Sequence, residues 1–413
     1  MKKKIIIIGG GFAGLNVARK LKSKNCEILL LDKKNHHLFQ PLLYQVASAA
    51  LSPADIAFPL REIFKHRKNT TVLMGEVSKI DKLKKTVAIN DETFSYDYLV
   101  IATGAKHSYF GKNEWEKNAP GLKTLTDALN IREKILLSFE RAERTENREK
   151  AAKYMSFVII GAGPTGVEMA GAIAEIAHST LLKNFRKIDP HQTKVYLIEA
   201  APRVLPPYSP SSSERAKKDL ENMGVEVLLN TKVIDITEDG VKTETSFIPS
   251  KNVIWAAGNQ ASSLLKELDV PLDRQGRVIV EKDLSIPNHP EIFVIGDAAC
   301  FMEKEKPLPA VATAAIQQGA YLGKILNKQT PKEERKPFKY FDKGNLATIG
   351  KGKAVAEVRG LRFSGFFAWV IWAFIHVFYL VGFRNRYSVL LQWYFHYFTG
   401  MRGARLIHRN IDK

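Results

Sequence analysis

Two glycine clusters, each preceded by a short β-branched run, are the residues most able to do chemistry. Ile5 to Ile8 leads into Gly9-Gly10-Gly11-Phe12-Ala13-Gly14, and Phe157 to Ile160 leads into Gly161-Ala162-Gly163-Pro164-Thr165-Gly166. In such a G-x-G-x-x-G pattern the first glycine permits a tight turn. The second lets backbone amides approach a pyrophosphate, and the third allows a helix to pack closely on a strand. The helix that follows offers unpaired N–H groups and the positive end of its dipole, so the chemistry is binding of a dinucleotide phosphate. An acid closes each pattern: Asp32 lies 23 residues after Gly9, and Glu199 lies 38 residues after Gly161. A carboxylate there accepts hydrogen bonds from ribose hydroxyls and repels a 2′-phosphate. Glu199 therefore favours NADH over NADPH, with Arg203 close behind it as the one feature pointing the other way. Glu168 sits in the first turn of the second phosphate-binding helix, where the dipole alone would favour an acid by about 0.3–1 kcal/mol.

The elements that must position these residues repeat. The first pattern implies a strand over Ile5 to Ile8, a helix through about Leu21 and a strand over Ile28 to Leu31. The second implies a strand over Phe157 to Ile160, a helix through about Ala177 and a strand over Val195 to Ile198. Two Rossmann-like units follow, and the fold class is α/β. The stretch Ala128 to Lys153 reads as one solvated connecting helix, with Leu129, Ile135, Leu136 and Phe139 near helical spacing. Trp255-Ala256-Ala257-Gly258 marks the return of the chain from an inserted second unit. The polar stretch from Lys328 to Lys336 marks a boundary before a basic tail.

Composition excludes several classes. With 413 residues, 45% hydrophobic and 25% charged, the chain has the profile of a packed globular protein rather than a disordered one. Cys26 and Cys300 stand too far apart in sequence for a CxxC redox pair, and two thiolates alone cannot build a zinc site, so no metal is expected. The apolar run after the lysines of the N-terminus stops at Gly9, too short for a signal peptide, which reads as a first strand and a cytoplasmic protein. Of the net charge of +19, +10 falls from Pro331 onward, which marks the tail as a distinct unit. Within it, Phe363 to Phe383 carries no Lys, Arg, Asp or Glu, and nine of its positions are Phe, Trp or Tyr. Aromatics prefer the membrane interface. A second aromatic run, Tyr387 to Phe398, follows Arg384-Asn385-Arg386, with Arg402, Arg405 and Arg409 beyond. Two interfacial helices with basic flanks on an anionic membrane surface fit this pattern better than a single span. A homodimer interface is the competing reading of the same aromatics. Nucleic acid is excluded as a partner, because no recognised motif accompanies the charge.

On these motifs the chain resembles the flavoproteins with two dinucleotide-binding domains, through Tyr98-Leu99-Val100-Ile101-Ala102-Thr103-Gly104 and Ile292-Phe293-Val294-Ile295-Gly296-Asp297-Ala298. More narrowly it resembles the non-proton-pumping type II NADH dehydrogenases. That match rests on His37 through Ala47, reading HLFQPLLYQVA, on Gln317-Gln318-Gly319, and on Gly382-Phe383-Arg384-Asn385-Arg386. The resemblance implies an FAD domain over 1–120 and 262–330, an inserted NADH domain over 121–261, and a membrane-anchoring, quinone-site segment over 331–413. It assigns Gly9, Gly11, Phe12, Ala13, Gly14, Asp32, Lys33, Val77, Ala102, Thr103, Gly104, Gly296, Asp297 and Ala312 to FAD. Gly161, Gly163, Pro164, Thr165, Gly166, Glu199 and Gly258 fall to NADH, and Glu168 corresponds to a carboxylate near the reacting rings. Gln317, Gln318, Gln40 and Tyr44 fall to a quinone site, where amides can bond a carbonyl oxygen. The implied activity is transfer of a hydride from NADH to FAD and then of two electrons to a membrane quinone, at the cytoplasmic face. A sulfide:quinone oxidoreductase is disfavoured, because Pro41 to Val46 stands where the related disulfide reductases carry paired cysteines. A soluble reductase of a protein carrier would need the tail to be an oligomer interface, and a redox-inactive, membrane-bound scaffold would bind FAD without turnover.

Overall fold

A computed structural model describes residues 2–408; Arg409, counted among the basic flanks, lies outside the described residues. The chain forms two compact units, each assembled from three segments. The first comprises 1–38, 57–106 and 259–343, and the second 39–56, 107–258 and 344–413.

The first unit is built on a six-stranded sheet. Its strands run in the spatial order Ser285–Ile286, His289–Val294, Tyr98–Ile101, Lys3–Ile8, Cys26–Asp32 and Thr70–Met74, parallel except for the first pair. Lys3–Ile8 is central because Ile5, Ile6, Ile7 and Ile8 are all buried, as a parallel strand covered on both faces requires. One layer of core joins Ile6, Ile8, Leu31, Leu99, Ile101 and Val294. The helix Phe12–Lys20 leaves the carboxyl end of that central strand at the point where strand order reverses, which is where open α/β sheets bind ligands.

The second unit repeats the plan with four parallel strands in the order Val225–Leu228, Lys194–Ile198, Ser156–Ile160 and Asn252–Trp255. Ser156–Ile160 is buried throughout and feeds the helix Pro164–Glu175. Two expectations shift here. The helix ends at Glu175 and a π-helical turn, Ile176–Thr180, takes the chain on. The stretch expected as one connecting helix is two, Leu125–Arg144 and Arg148–Tyr154. Thr124 and Asp127 start the former with a reciprocal capping box, and Asn147 caps the latter.

The tail is not a unit of its own. Residues 331–343 belong to the first unit, and from Gly344 the tail belongs to the second, beginning there with a three-stranded antiparallel sheet, Asn345–Gly350, Lys353–Val358 and Leu361–Ser364. The two expected helices follow, Gly365–Tyr379 and Phe383–Thr399. Gly382, at φ +89°, turns the chain between them, and Arg386 donates from Nε to Leu380 O (2.8 Å) and from Nη2 to Phe378 O (2.9 Å), satisfying carbonyls at the end of the first helix. Each helix buries only one i, i+4 stripe: Ala368 and Trp372, then Asn385, Val389 and Trp393. No helix among the described residues is long and apolar enough to cross a membrane.

Candidate functional site

The two glycine turns share one geometry. Gly9 and Gly161 have φ of +104° and +100°, so a side chain at either position would be strained. A methyl on Gly14 would overlap Gly9 O, and one on Gly166 would overlap Gly161 O, the close helix–strand approach that the third glycine provides. Gly11 and Gly163 differ: an added methyl meets nothing within 4 Å, so the space over each turn is open, as a bound pyrophosphate requires. Asp32 accepts hydrogen bonds from Gly10 N (2.5 Å) and Lys34 N (2.7 Å). Glu199 does the same with Ala162 N (2.7 Å) and Ala201 N (2.9 Å). Each acid thus fixes the middle residue of its glycine turn, a role the spacing alone did not reveal. Burial outweighs the two amides at Asp32 and raises its pKa. Arg203 turns away to Pro206 O (2.9 Å).

Other residues assigned to the first cofactor fall around the same strand ends. Thr103 Oγ1 is buried without a partner among the described residues, at the exit of the Tyr98–Ile101 strand beside Gly104, where again an added methyl meets nothing within 4 Å. His37 bonds Gly10 O through Nδ1 (2.9 Å), stands edge-on to Phe12 at 5.2 Å, and leaves Nε2 unpartnered; burial pushes its pKa down to about 4. Orphaned polar atoms beside an open glycine turn fit a cofactor with hydroxyl, phosphate and ring-nitrogen groups. Gly296, at φ +69°, lies against Ala13, and Asp297 follows it in a three-residue 3-10 helix. Ala312 begins the helix Ala312–Lys328. Val77 is a core residue, packed with Leu31 and Ile80. Lys33 is exposed and pairs with Glu76 at 3.3 Å. In the second unit Pro164 and Thr165 open the helix after Gly163, whereas Gly258 is packed against Phe110 and Ser108 O.

The second unit also holds a cavity partly open to solvent, walled by Tyr44, Gln45 and Ser48, by Glu168, Ala172 and Glu175, by Thr348 to Lys351, and by Trp369, Trp372, Trp393, His396 and Arg402 from the tail. Glu168 and Glu175 share a wall because seven residues are close to two helical turns. Glu168 borders the cavity space, yet desolvation raises its pKa well above the ordinary carboxyl value despite a hydrogen bond from the Thr348 backbone. Burial therefore favours the neutral carboxyl. Burial, then Glu168, push the Tyr44 hydroxyl up as well. Glu175 behaves in the opposite way. Burial alone would raise it, but His396, Arg402 and the Lys351 amide outweigh burial and hold it ionised. Arg402 ties the tail to two other segments of this wall, donating to Glu175 Oε2 (2.7 Å) and to Ser48 O (2.7 Å). It is 4% exposed, so it is not the basic flank on the tail that the sequence suggested.

Of the residues expected at a quinone site, only Tyr44 lines the cavity. Gln40 is exposed and donates to Lys123 O (3.1 Å). Gln317 and Gln318 belong to the first unit, where Gln317 exchanges two hydrogen bonds with the Phe341 backbone and Gln318 Oε1 accepts from Gly296 N (2.6 Å). Sequence reasoning missed Glu175, Gln45, Trp372, Trp393 and the true place of Arg402. Only Glu175, seven residues beyond Glu168, carried a signal that could have found it.

Known proteins match nearly the whole length of the chain. The pyridine nucleotide-disulphide oxidoreductase family model matches residues 3–319 and the NDH2 C-terminal domain model residues 343–402. A type II NADH:quinone oxidoreductase of Mycobacterium tuberculosis is 42% identical over 422 residues, spanning 98% of this chain and 90% of that protein. The chain belongs to the type II NADH:quinone oxidoreductase family. A Staphylococcus haemolyticus member is 30% identical over 88% of this chain and 92% of its own. The solved structure of NDH2 from Plasmodium falciparum in complex with NADH shares the fold, with a TM-score of 0.89 at 22% identity, covering 99% of this chain and 100% of that one. As a member of the family, the protein is a flavoenzyme that uses FAD and NADH and passes electrons to quinone without pumping protons.

Proposed function

We propose that the first unit holds FAD and the second NADH, and that the cavity of the second unit receives the quinone head group at a membrane surface. The amides of the turn Gly9 to Gly14 and of the helix Phe12–Lys20 would cradle the FAD pyrophosphate. Asp32, Thr103 and Asp297 would offer polar partners to its sugar and ribityl hydroxyls, while Lys33, Val77, Ala102, Gly104, Gly296 and Ala312 border that site. The turn Gly161 to Gly166 with Pro164 and Thr165 would do the same for NADH, and Glu199 keeps oxygen lone pairs for ribose hydroxyls while repelling a 2′-phosphate. When bound, FAD supplies the redox chemistry, taking two electrons from NADH and passing them to the quinone. The chain's own contribution at the cavity is a proton store and a polar frame. Burial favours the protonated form of the Glu168 carboxyl and of the Tyr44 phenol, and quinone reduction consumes two protons. The neutral Glu168 carboxyl in an aromatic-walled cavity carries this reading.

The surface of the two tail helices supports attachment to lipid. Phe374 is 72% exposed, Phe383 85% and Phe398 69%, with Phe367, Tyr387 and Tyr394 open beside them. Such a surface on a monomer needs a partner. Arg359, Arg362, Arg384 and Arg386 are exposed near it, which favours an anionic bilayer at the cytoplasmic face; each basic residue adds about 1 kcal/mol near such a surface. FAD-loaded protein is expected to sediment with vesicles of anionic phospholipid, in part reversibly with salt. Anaerobic NADH should bleach the flavin and decylubiquinone should restore it. Protein that stays in the supernatant as a dimer would give the aromatic surface to a second copy of the chain instead.

A further inference from the structure

Nine buried side-chain polar atoms have no hydrogen-bond partner among the described residues, and two of them, Trp372 Nε1 and Arg402 Nε, belong to residues that line the cavity. Arg402 places its other two nitrogens on Glu175 and Ser48. Trp372 has one polar atom and it is unsatisfied, although the residue is only 1% exposed. Its ring has two aromatic neighbours, His376 at 4.4 Å with a 30° tilt and Trp393 at 5.1 Å with a 35° tilt. Trp393, the other buried indole of this wall, donates its N–H to Gln45 Oε1 at 2.7 Å. The contrast is chemical: two buried indoles line one cavity, and one has no acceptor among the described residues. Buried indole N–H groups ordinarily find a partner, and an open cavity leaves room for one that arrives with a ligand.

We propose that the indole N–H of Trp372 donates a hydrogen bond to a carbonyl oxygen of the bound quinone, orienting the ring and stabilising the negative charge that builds on that oxygen during reduction. The proposal rests on the reading of the cavity as the quinone site. A quinone carbonyl is a neutral acceptor in the ground state and a charged one as electrons arrive, so the same bond strengthens along the reaction. One NADH and one proton are consumed for each quinol and NAD⁺ formed, and Trp372 keeps its own proton throughout. Trp372 is a positioning and stabilising donor, and Glu168 remains the nearby proton store.

The test uses the FAD-loaded full chain with decylubiquinone. Trp372→Phe removes the donor, and incorporation of 3-benzothienylalanine at position 372 removes it while keeping the bicyclic shape, so it carries the test if the Phe variant fails to load FAD. Loss of one neutral hydrogen bond should raise KM for decylubiquinone about three- to tenfold, with the flavin still bleached by NADH at close to the wild-type rate. The infrared carbonyl stretch of the bound quinone should move to higher frequency, a change that altered packing alone would not produce. Ala50→Phe, which narrows the cavity without touching the donor, tests the cavity reading separately. If Ala50→Phe impairs quinone turnover but both changes at Trp372 leave KM and the carbonyl band unchanged, the donor role is overturned. If none of the three changes quinone kinetics, the cavity reading falls and the donor role falls with it.

Discussion

Arg402→Met removes the cation that ties the tail to the wall of the cavity. The wild-type guanidinium gives Nη2 to Glu175 and Nη1 to Ser48 O, both at 2.7 Å, and its side chain is 2% exposed against 18% for Glu175. Deleting one member of a buried pair typically costs 3–5 kcal/mol, because the other charge is left without compensation. Glu175 keeps the Lys351 amide and a margin of exposure, so the lower end applies, about 3 kcal/mol. For a unit of this size each kcal/mol moves the midpoint by about 2–4 °C, so melting should drop by about 6–12 °C. Far-UV circular dichroism of the FAD-saturated protein at pH 7 and low salt would measure it. Adding Glu175→Gln to Arg402→Met removes the stranded charge, and the double variant should melt above the single one. The depressed pKa of Glu175 sets the pH dependence. The pair's contribution is present above the ordinary carboxyl value of 4.5 and is lost as the pH falls below it, so the gap between wild type and Arg402→Met should narrow on acidification. A single variant that melts within a degree or so of wild type, or a double variant whose losses simply add, would refute the reasoning.

Glu168→Gln should leave FAD content unchanged and slow reoxidation of the flavin by quinone more than its reduction by NADH, as stopped-flow absorbance would resolve. Because the raised pKa favours the neutral form, wild-type stability should decline as the pH rises above 4.5, and the Gln variant should lack that decline in a melting series. Glu199→Ser should narrow the preference for NADH over NADPH in steady-state kinetics and also lower stability somewhat, since the carboxylate holds Ala162 N and Ala201 N. Gly11→Ala should leave apoprotein melting unchanged, because the methyl enters open space, while titration shows FAD affinity reduced at least about tenfold. Gly14→Ala, colliding with Gly9 O, should destabilise the apoprotein itself.

The sequence by itself determined what is local and periodic. G-x-G-x-x-G after a β-branched strand specifies the turn, the helix start and the acid of the next strand within one stretch of chain, so the units at Ile5 to Asp32 and Phe157 to Glu199 appear in the structure to within a residue or two at their strands. The two aromatic helices were legible as well, but the bend expected at Arg384-Asn385-Arg386 falls at Leu380 to Gly382, and those three residues lie in the first turn of the second helix. Tertiary structure decided what depends on distant segments meeting. No spacing rule brings Tyr44, Glu168, Trp372 and Arg402 to one cavity across more than three hundred and fifty positions, and none distinguishes an arginine bound for lipid from one that pairs with Glu175. The same holds for electrostatics. Glu168 and Glu175 are identical residues two turns apart on one helix, and burial without a cation makes one neutral while Arg402 keeps the other charged. Protonation state is a property of the surroundings, and those are set only when the chain has folded.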